Sequence, residues 1–201
     1  MSECSISINI LALGDSTVGK TAYLNRIKEN RFKPTLSTIG YNIITKRIEL
    51  ESGQKLIVRF WDTSGQERYN SLPASFIKKT DGIILMYDIT NRDSFDTISK
   101  WWNDIFKYKE KDFPVILVGN KSDLEDERKV QKEEGESIAN ELNIKFYETS
   151  NKDGINIEES SGELIKIILS RMPDAIKPIY AKLSKKKLKK RRKCFSSRIK
   201  C

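Results

Sequence analysis

Three short strings carry residues suited to one chemistry. Gly14-Asp15-Ser16-Thr17-Val18-Gly19-Lys20-Thr21 fits the spacing G-x-x-x-x-G-K-[ST]. Gly14 and Gly19 let the backbone curl so that successive N–H groups, among them those around Asp15, Ser16, Thr17 and Val18, face phosphate oxygens at the positive end of a following helix. Lys20 is expected to reach the β- and γ-phosphates of a nucleoside triphosphate, and Thr21 to offer its hydroxyl to Mg²⁺. Thr17 adds bulk where glycine is often found but removes no required contact. A plain glycine-rich turn is the competing reading.

The second string, Asn120-Lys121-Ser122-Asp123, follows the apolar run Val115 to Gly119. There it would sit at the carboxyl end of a strand, where open α/β sheets bind ligands. Asp123 can accept two hydrogen bonds from the ring N–H and exocyclic amine of guanine. Adenine has no such donor pair and would strand the carboxylate, a penalty of at least ~1 to 3 kcal/mol, so GTP and GDP are favoured over ATP. The third string is Trp61-Asp62-Thr63-Ser64-Gly65-Gln66-Glu67. Asp62 suits a Mg²⁺ shell, Gly65 can bring its N–H to a γ-phosphate, and Gln66 is the candidate to orient an attacking water. Read alone, Gln66 could equally be an exposed loop residue.

These loops need rigid elements behind them. Buried-strand patterns fall near Ile6 to Leu13, Ile43 to Leu50, Leu56 to Trp61, Gly82 to Asp88, Val115 to Gly119 and Lys145 to Tyr147, alternating with stretches of helical spacing. Helices are expected over Lys20 to Glu29, Ser94 to Lys109, Lys132 to Glu141 and Ile157 to Met172, with a weaker candidate at Ser71 to Lys79. The link Glu51-Ser52-Gly53-Gln54 is short enough for a hairpin, so the second and third strands are antiparallel. The expected fold is α/β: a six-stranded mixed sheet with helices on both faces. In the Ser94 helix, Phe95, Ile98, Trp102, Ile105 and Phe106 form the stripe expected to cover the sheet.

Composition prunes other chemistries. The 201 residues contain no histidine, which removes Ser-His-Asp triads, Cys-His pairs and histidine zinc sites. The three cysteines, Cys4, Cys194 and Cys201, leave the interior without a disulfide framework. The opening Met1-Ser2-Glu3-Cys4 lacks the basic and apolar stretches of a secretory signal, so a cytosolic protein is expected. The net charge of +9 is unevenly spread: residues 182–201 hold eleven Lys or Arg and no acid, leaving 26 basic against 28 acidic residues elsewhere. One domain over residues 1–176 is therefore expected, followed by a disordered basic tail over 177–201. The tail could be a solvated end, a nucleic-acid arm or a membrane-surface segment; Cys194 and Cys201 favour the membrane, through prenyl or palmitoyl groups acting with the charge. Arg198 stands where a C-a-a-X box needs cysteine.

The three strings together resemble those of small GTPases of the Ras superfamily, and from about Ile6 to Met172 the chain is most similar to the Rab branch. Tyr87-Asp88-Ile89-Thr90-Asn91 and Ser94-Phe95 add to that likeness. The resemblance implies the P-loop NTPase fold of small G proteins and a slow GTP hydrolysis that switches partners. Ser37-Thr38-Ile39-Gly40 resembles the first switch, which implies that Thr38 closes on Mg²⁺ and γ-phosphate. Glu148-Thr149-Ser150-Asn151-Lys152 resembles the loop that cradles guanine, and Phe32 is the aromatic expected to stack on the base. Implied partners are an exchange factor, a GTPase-activating protein, effectors and a membrane surface reached through the tail. Specific nucleic acid is not expected, the protein is taken as a monomer, and it would cycle between cytoplasm and the cytosolic face of an intracellular membrane in vesicle trafficking. Asn151 and Ser64 replace the alanines usual in the family, and Tyr41-Asn42-Ile43 departs from its common switch sequence. Two alternatives stay open: a guanine-nucleotide-bound interaction module with little turnover, and nucleic-acid binding through the tail.

Overall fold

The computed structural model describes residues 6–32, 42–49, 55–62 and 74–172. Its strands are β1 (Ile6–Leu13), β2 (Asn42–Glu49), β3 (Lys55–Asp62), β4 (Gly82–Asp88), β5 (Val115–Asn120) and β6 (Lys145–Thr149). Its α-helices are α1 (Lys20–Glu29), α2 (Ala74–Lys79), α3 (Arg92–Asp96), α4 (Ile98–Phe106), α5 (Lys132–Glu141) and α6 (Ile157–Ser170). The sheet order is β2-β3-β1-β4-β5-β6. β2 runs antiparallel to β3, from Asn42 opposite Asp62 to Glu49 opposite Lys55. All other pairs are parallel.

Strict alternation along the strands divides the core in two. Ile8, Ile10, Val58, Phe60, Ile84, Met86, Ile116 and Val118 face a layer made by Tyr23, Leu24 and Ile27 of α1 with Leu164, Ile165 and Ile168 of α6. Leu11, Leu13, Ile83, Leu85 and Leu117 face the other way, against Ile77, Phe95, Ile98, Trp101, Ile105 and Ala139 from α2 to α5. Apolar residues on both faces are what a parallel strand between two helical layers requires. The expected mixed sheet and two helical layers are therefore present.

The expected helix from Ser94 to Lys109 is two helices. Asn91 caps α3 by accepting the Asp93 N–H at 3.1 Å. At Thr97 the hydroxyl donates to the Ser94 carbonyl at 3.1 Å, and the run divides there into α3 and α4. A side-chain hydroxyl competing for a main-chain acceptor is a known source of such breaks. The aromatic that goes deep is Trp101, at helical spacing from buried Ile98 and Ile105, not the expected Trp102; Trp102 and Phe106 are half-buried and pack on each other with ring centroids 4.4 Å apart.

Parallel pairing brings the carboxyl ends of β1, β3, β4, β5 and β6 to one edge of the sheet. The chain leaves β1 for β2 and β3 on one side and continues to β4, β5 and β6 on the other. That reversal makes the crevice beside β1 the place where an open sheet binds a ligand.

Candidate functional site

The loop after β1 turns over its strand with almost no room. Gly14 has φ 141°, and a Cβ there would collide with the Met86 carbonyl of β4. Thr17 also stands in the left-handed region, at φ 65°, a conformation costly for a β-branched residue. Gly19, at φ 99°, leads into α1. Lys20 is buried, and its Nζ donates to the carbonyls of Gly14 at 2.7 Å and Asp15 at 2.6 Å, so the loop encircles its own ammonium.

Two side chains from outside the loop hold it in place. Asn120, at the end of β5, donates from Nδ2 to the Val18 carbonyl at 2.7 Å and accepts the Thr149 hydroxyl at 3.1 Å. Trp101 of α4 donates from Nε1 to Asp15 Oδ1 at 2.7 Å. The helical spacing read from sequence treats the α4 aromatics as core and misses this tie. The available signal was chemical: a buried indole N–H needs an acceptor.

Thr21 and Asp62 meet at the ends of α1 and β3, with the Thr21 hydroxyl donating to Asp62 Oδ2 at 2.7 Å. Asp62 is fully buried, and its Oδ1 has no hydrogen-bond partner among the described residues. An orphaned, buried carboxylate oxygen beside a hydroxyl suits a hard cation that takes oxygen ligands, so these residues fit Mg²⁺.

The side expected from sequence to take the base is built from the loops after β5 and β6. Ser150 donates its hydroxyl to Asp123 Oδ1 at 2.7 Å while accepting the Asp153 N–H at 2.9 Å, which fixes the direction of the carboxylate. Lys121, at φ 70°, pairs through Nζ with Asp88 Oδ2 at 2.5 Å. Asn151 is buried and donates to the Gly19 carbonyl at 3.1 Å. Behind them Arg128 joins Glu148 at 2.7 Å and Glu125 at 2.8 Å, and these two carboxylates raise its already high pKa.

A cavity of about 310 Å³ opens between the two halves, lined by Thr17, Gly19, Phe32, Lys121, Asp123, Asn151 and Lys152 among others. Phe32 is 42% exposed at its rim. The sequence candidates from Gly14 to Thr21, Phe32, Asp62, Asn120 to Asp123 and Ser150 to Lys152 thus lie around one edge of the sheet. Thr38, Gly65, Gln66, Cys194, Cys201 and the tail beyond residue 176 lie outside the described residues.

The sheet order, the tight loop between β1 and α1 and the helices on both faces are those of the small G-protein class of P-loop NTPases. Residues 9–170 match the model of the Ras family, and the chain belongs to that family. It is 42% identical over 167 residues to Ras-related protein Rab-10 of Caenorhabditis elegans, covering 83% of each chain. Rab-10 of Diplobatis ommata is 45% identical over 165 residues, 82% of each chain. Human Ras-related protein Rab-3A is 39% identical over 168 residues, 83% of this chain and 76% of the relative. The protein is a Rab-like small GTPase, a GTP-binding switch. Among the described residues no helix is long and apolar enough to cross a membrane.

Proposed function

We propose that this chain binds GTP and GDP with Mg²⁺ in the cavity beside β1, hydrolyses GTP slowly, and acts as a switch in vesicle trafficking on intracellular membranes. The observation that carries the reading is the pairing of a self-encircled Lys20 with a fixed Asp123 on one sheet edge. Holding the Lys20 ammonium inside the loop fixes a positive charge where the β- and γ-phosphates would sit. Ser150 aims Asp123 at the guanine N–H pair, Asn120 and Lys121 wall the base, and Phe32 covers it.

Thr21, Asp62 and Thr38 are the residues that would hold Mg²⁺, which when bound supplies charge against the phosphate oxygens. In the hydrolytic step a water oxygen bonds to the γ-phosphorus as the bond to the β–γ bridging oxygen breaks. Gln66 orients that water, and Thr38 and Gly65 contact the γ-phosphate and let go when it leaves. The changed loops are then read by effectors, an exchange factor and a GTPase-activating protein. The tail, with eleven basic residues after Ala181 and cysteines at 194 and 201, supplies the charge and lipid signals for a membrane surface. The protein works as a monomer.

A second reading, a nucleotide-locked module with little turnover, draws support from the left-handed Thr17 in the phosphate loop. One experiment separates them. Nucleotide is extracted from protein purified in Mg²⁺ and identified, and phosphate release from bound GTP is followed in single turnover for wild type and Gln66→Leu. GDP or GTP near one per chain, with release that Gln66→Leu slows while binding is kept, supports the switch. Release equally slow in both chains favours the locked module, and an adenine nucleotide overturns the base reading.

A further inference from the structure

Where the phosphate loop becomes α1, Val18 and Gly19 present consecutive carbonyls. Val18 accepts Asn120 Nδ2 at 2.7 Å. Gly19 accepts the Tyr23 N–H at 2.9 Å, the opening bond of the helix, and also Asn151 Nδ2 at 3.1 Å. A Cβ on Gly19 would run into both amides, so the missing side chain is what lets two asparagines close on the loop together.

The two are not equivalent. Asn120 satisfies both ends of its amide, with Thr149 on Oδ1. Asn151 is 5% exposed, and its Oδ1 is buried with no hydrogen-bond partner among the described residues. A buried acceptor left unpaired is costly, and alanine at this place would carry no such atom. What the amide contributes in return is its tie from the loop after β6, on the proposed base side, to Gly19, the residue that leads into the phosphate-side helix.

We propose that Asn151 is a positioning residue for nucleotide exchange: its Nδ2 bond to Gly19 joins the base and phosphate walls and slows GDP release. The inference rests on the guanine-nucleotide reading above. GDP leaves when the walls part, and a bond across them is present while nucleotide is bound and broken before it escapes. On this proposal the tie re-forms after nucleotide has entered, so its loss acts on release. One net hydrogen bond lost ahead of the barrier corresponds to roughly two- to tenfold in rate.

The test uses the full chain loaded with N-methylanthraniloyl-GDP in Mg²⁺, chased with excess GDP, for wild type, Asn151→Ala and Asn151→Asp. Asn151→Ala is expected to release roughly two- to tenfold faster with its association rate unchanged within about twofold. Asn151→Asp keeps the shape but turns an acceptor toward the Gly19 carbonyl, so its release is expected to be faster still. Release from Asn151→Ala that is unchanged or slower overturns the inference. So does an association rate that falls as far as release rises, because that marks general damage to the pocket. Wild type that takes up no labelled GDP overturns the guanine reading itself, and the inference with it.

Discussion

Replacing Trp101 by Phe tests whether α4 anchors the phosphate loop. Asp15 is held from two directions, with its carbonyl accepting Lys20 at 2.6 Å and its carboxylate accepting Trp101 Nε1 at 2.7 Å. Trp101 is 4% exposed, so its N–H is withdrawn from water and has Asp15 as acceptor. A hydrogen bond to a charged group contributes about 1.5 to 3 kcal/mol when buried. Asp15 is half-buried, which lets water compensate in part and places the expected value near the lower end, about 1.5 kcal/mol. The smaller ring also leaves a void between α4 and the sheet, and that cost must be removed from the comparison. A double-mutant cycle does so: Trp101→Phe is measured with Asp15 present and again in Asp15→Ala, where the packing loss remains, offset by removal of the indole N–H that has lost its acceptor. Urea unfolding followed by circular dichroism, at saturating GDP and Mg²⁺, should give a coupling energy of about 1.5 kcal/mol. Additivity to within about 0.3 kcal/mol would refute the anchoring role and reduce Trp101 to a core residue.

Two further outcomes follow from the same geometry. Thr17 holds a left-handed backbone that glycine adopts without penalty, so Thr17→Gly should stabilise the folded protein by up to about 1 kcal/mol after glycine's greater unfolded freedom is subtracted; a lower urea midpoint would contradict the strain argument. Burial pushes the Tyr23 phenol above its ordinary pKa of 10, against the lowering effect of its hydrogen bond to Ser160 Oγ at 2.7 Å. Its folded pKa exceeds the unfolded one, so its contribution is fully present below about pH 10 and is lost as pH rises through the alkaline range toward the folded value. Tyr23→Phe should cost about 1 kcal/mol at neutral pH and make the alkaline fall shallower. Parallel loss in both proteins between pH 9 and about pH 11 would exclude Tyr23 as a cause.

The fold was legible where one residue pattern serves one surface. β4 and β5 read as apolar runs because helices cover both their sides, while β1 opens by alternating with Ser7 and Asn9, and the observed strands begin and end within two residues of the expected ones. The division at Thr97 was not legible, because it depends on whether a threonine hydroxyl takes its neighbour's carbonyl, a choice that leaves no mark on hydrophobic spacing. Trp101 rather than Trp102 turns inward because it falls on the helical stripe with Ile98 and Ile105. The loop strings were recognisable because phosphate and guanine recognition demand particular residue types at short range. Their supports were not, since Ser150 to Asp123 spans 27 residues and Trp101 to Asp15 spans 86.

By itself the amino-acid sequence determined the alternation of strands and helices, the glycines and lysine of the phosphate loop, the carboxylate proposed to read the base, and the concentration of positive charge after Ala181. These are set by local stereochemistry and by residue chemistry, which act over a few neighbours. Tertiary structure alone decided that Asp62 keeps one carboxylate oxygen buried and unpartnered among the described residues, that Asn151 reaches back to Gly19, and that an indole from α4 holds Asp15. Each depends on strands distant in sequence ending at the same edge of one sheet. Only parallel pairing across that sheet brings them within hydrogen-bond reach.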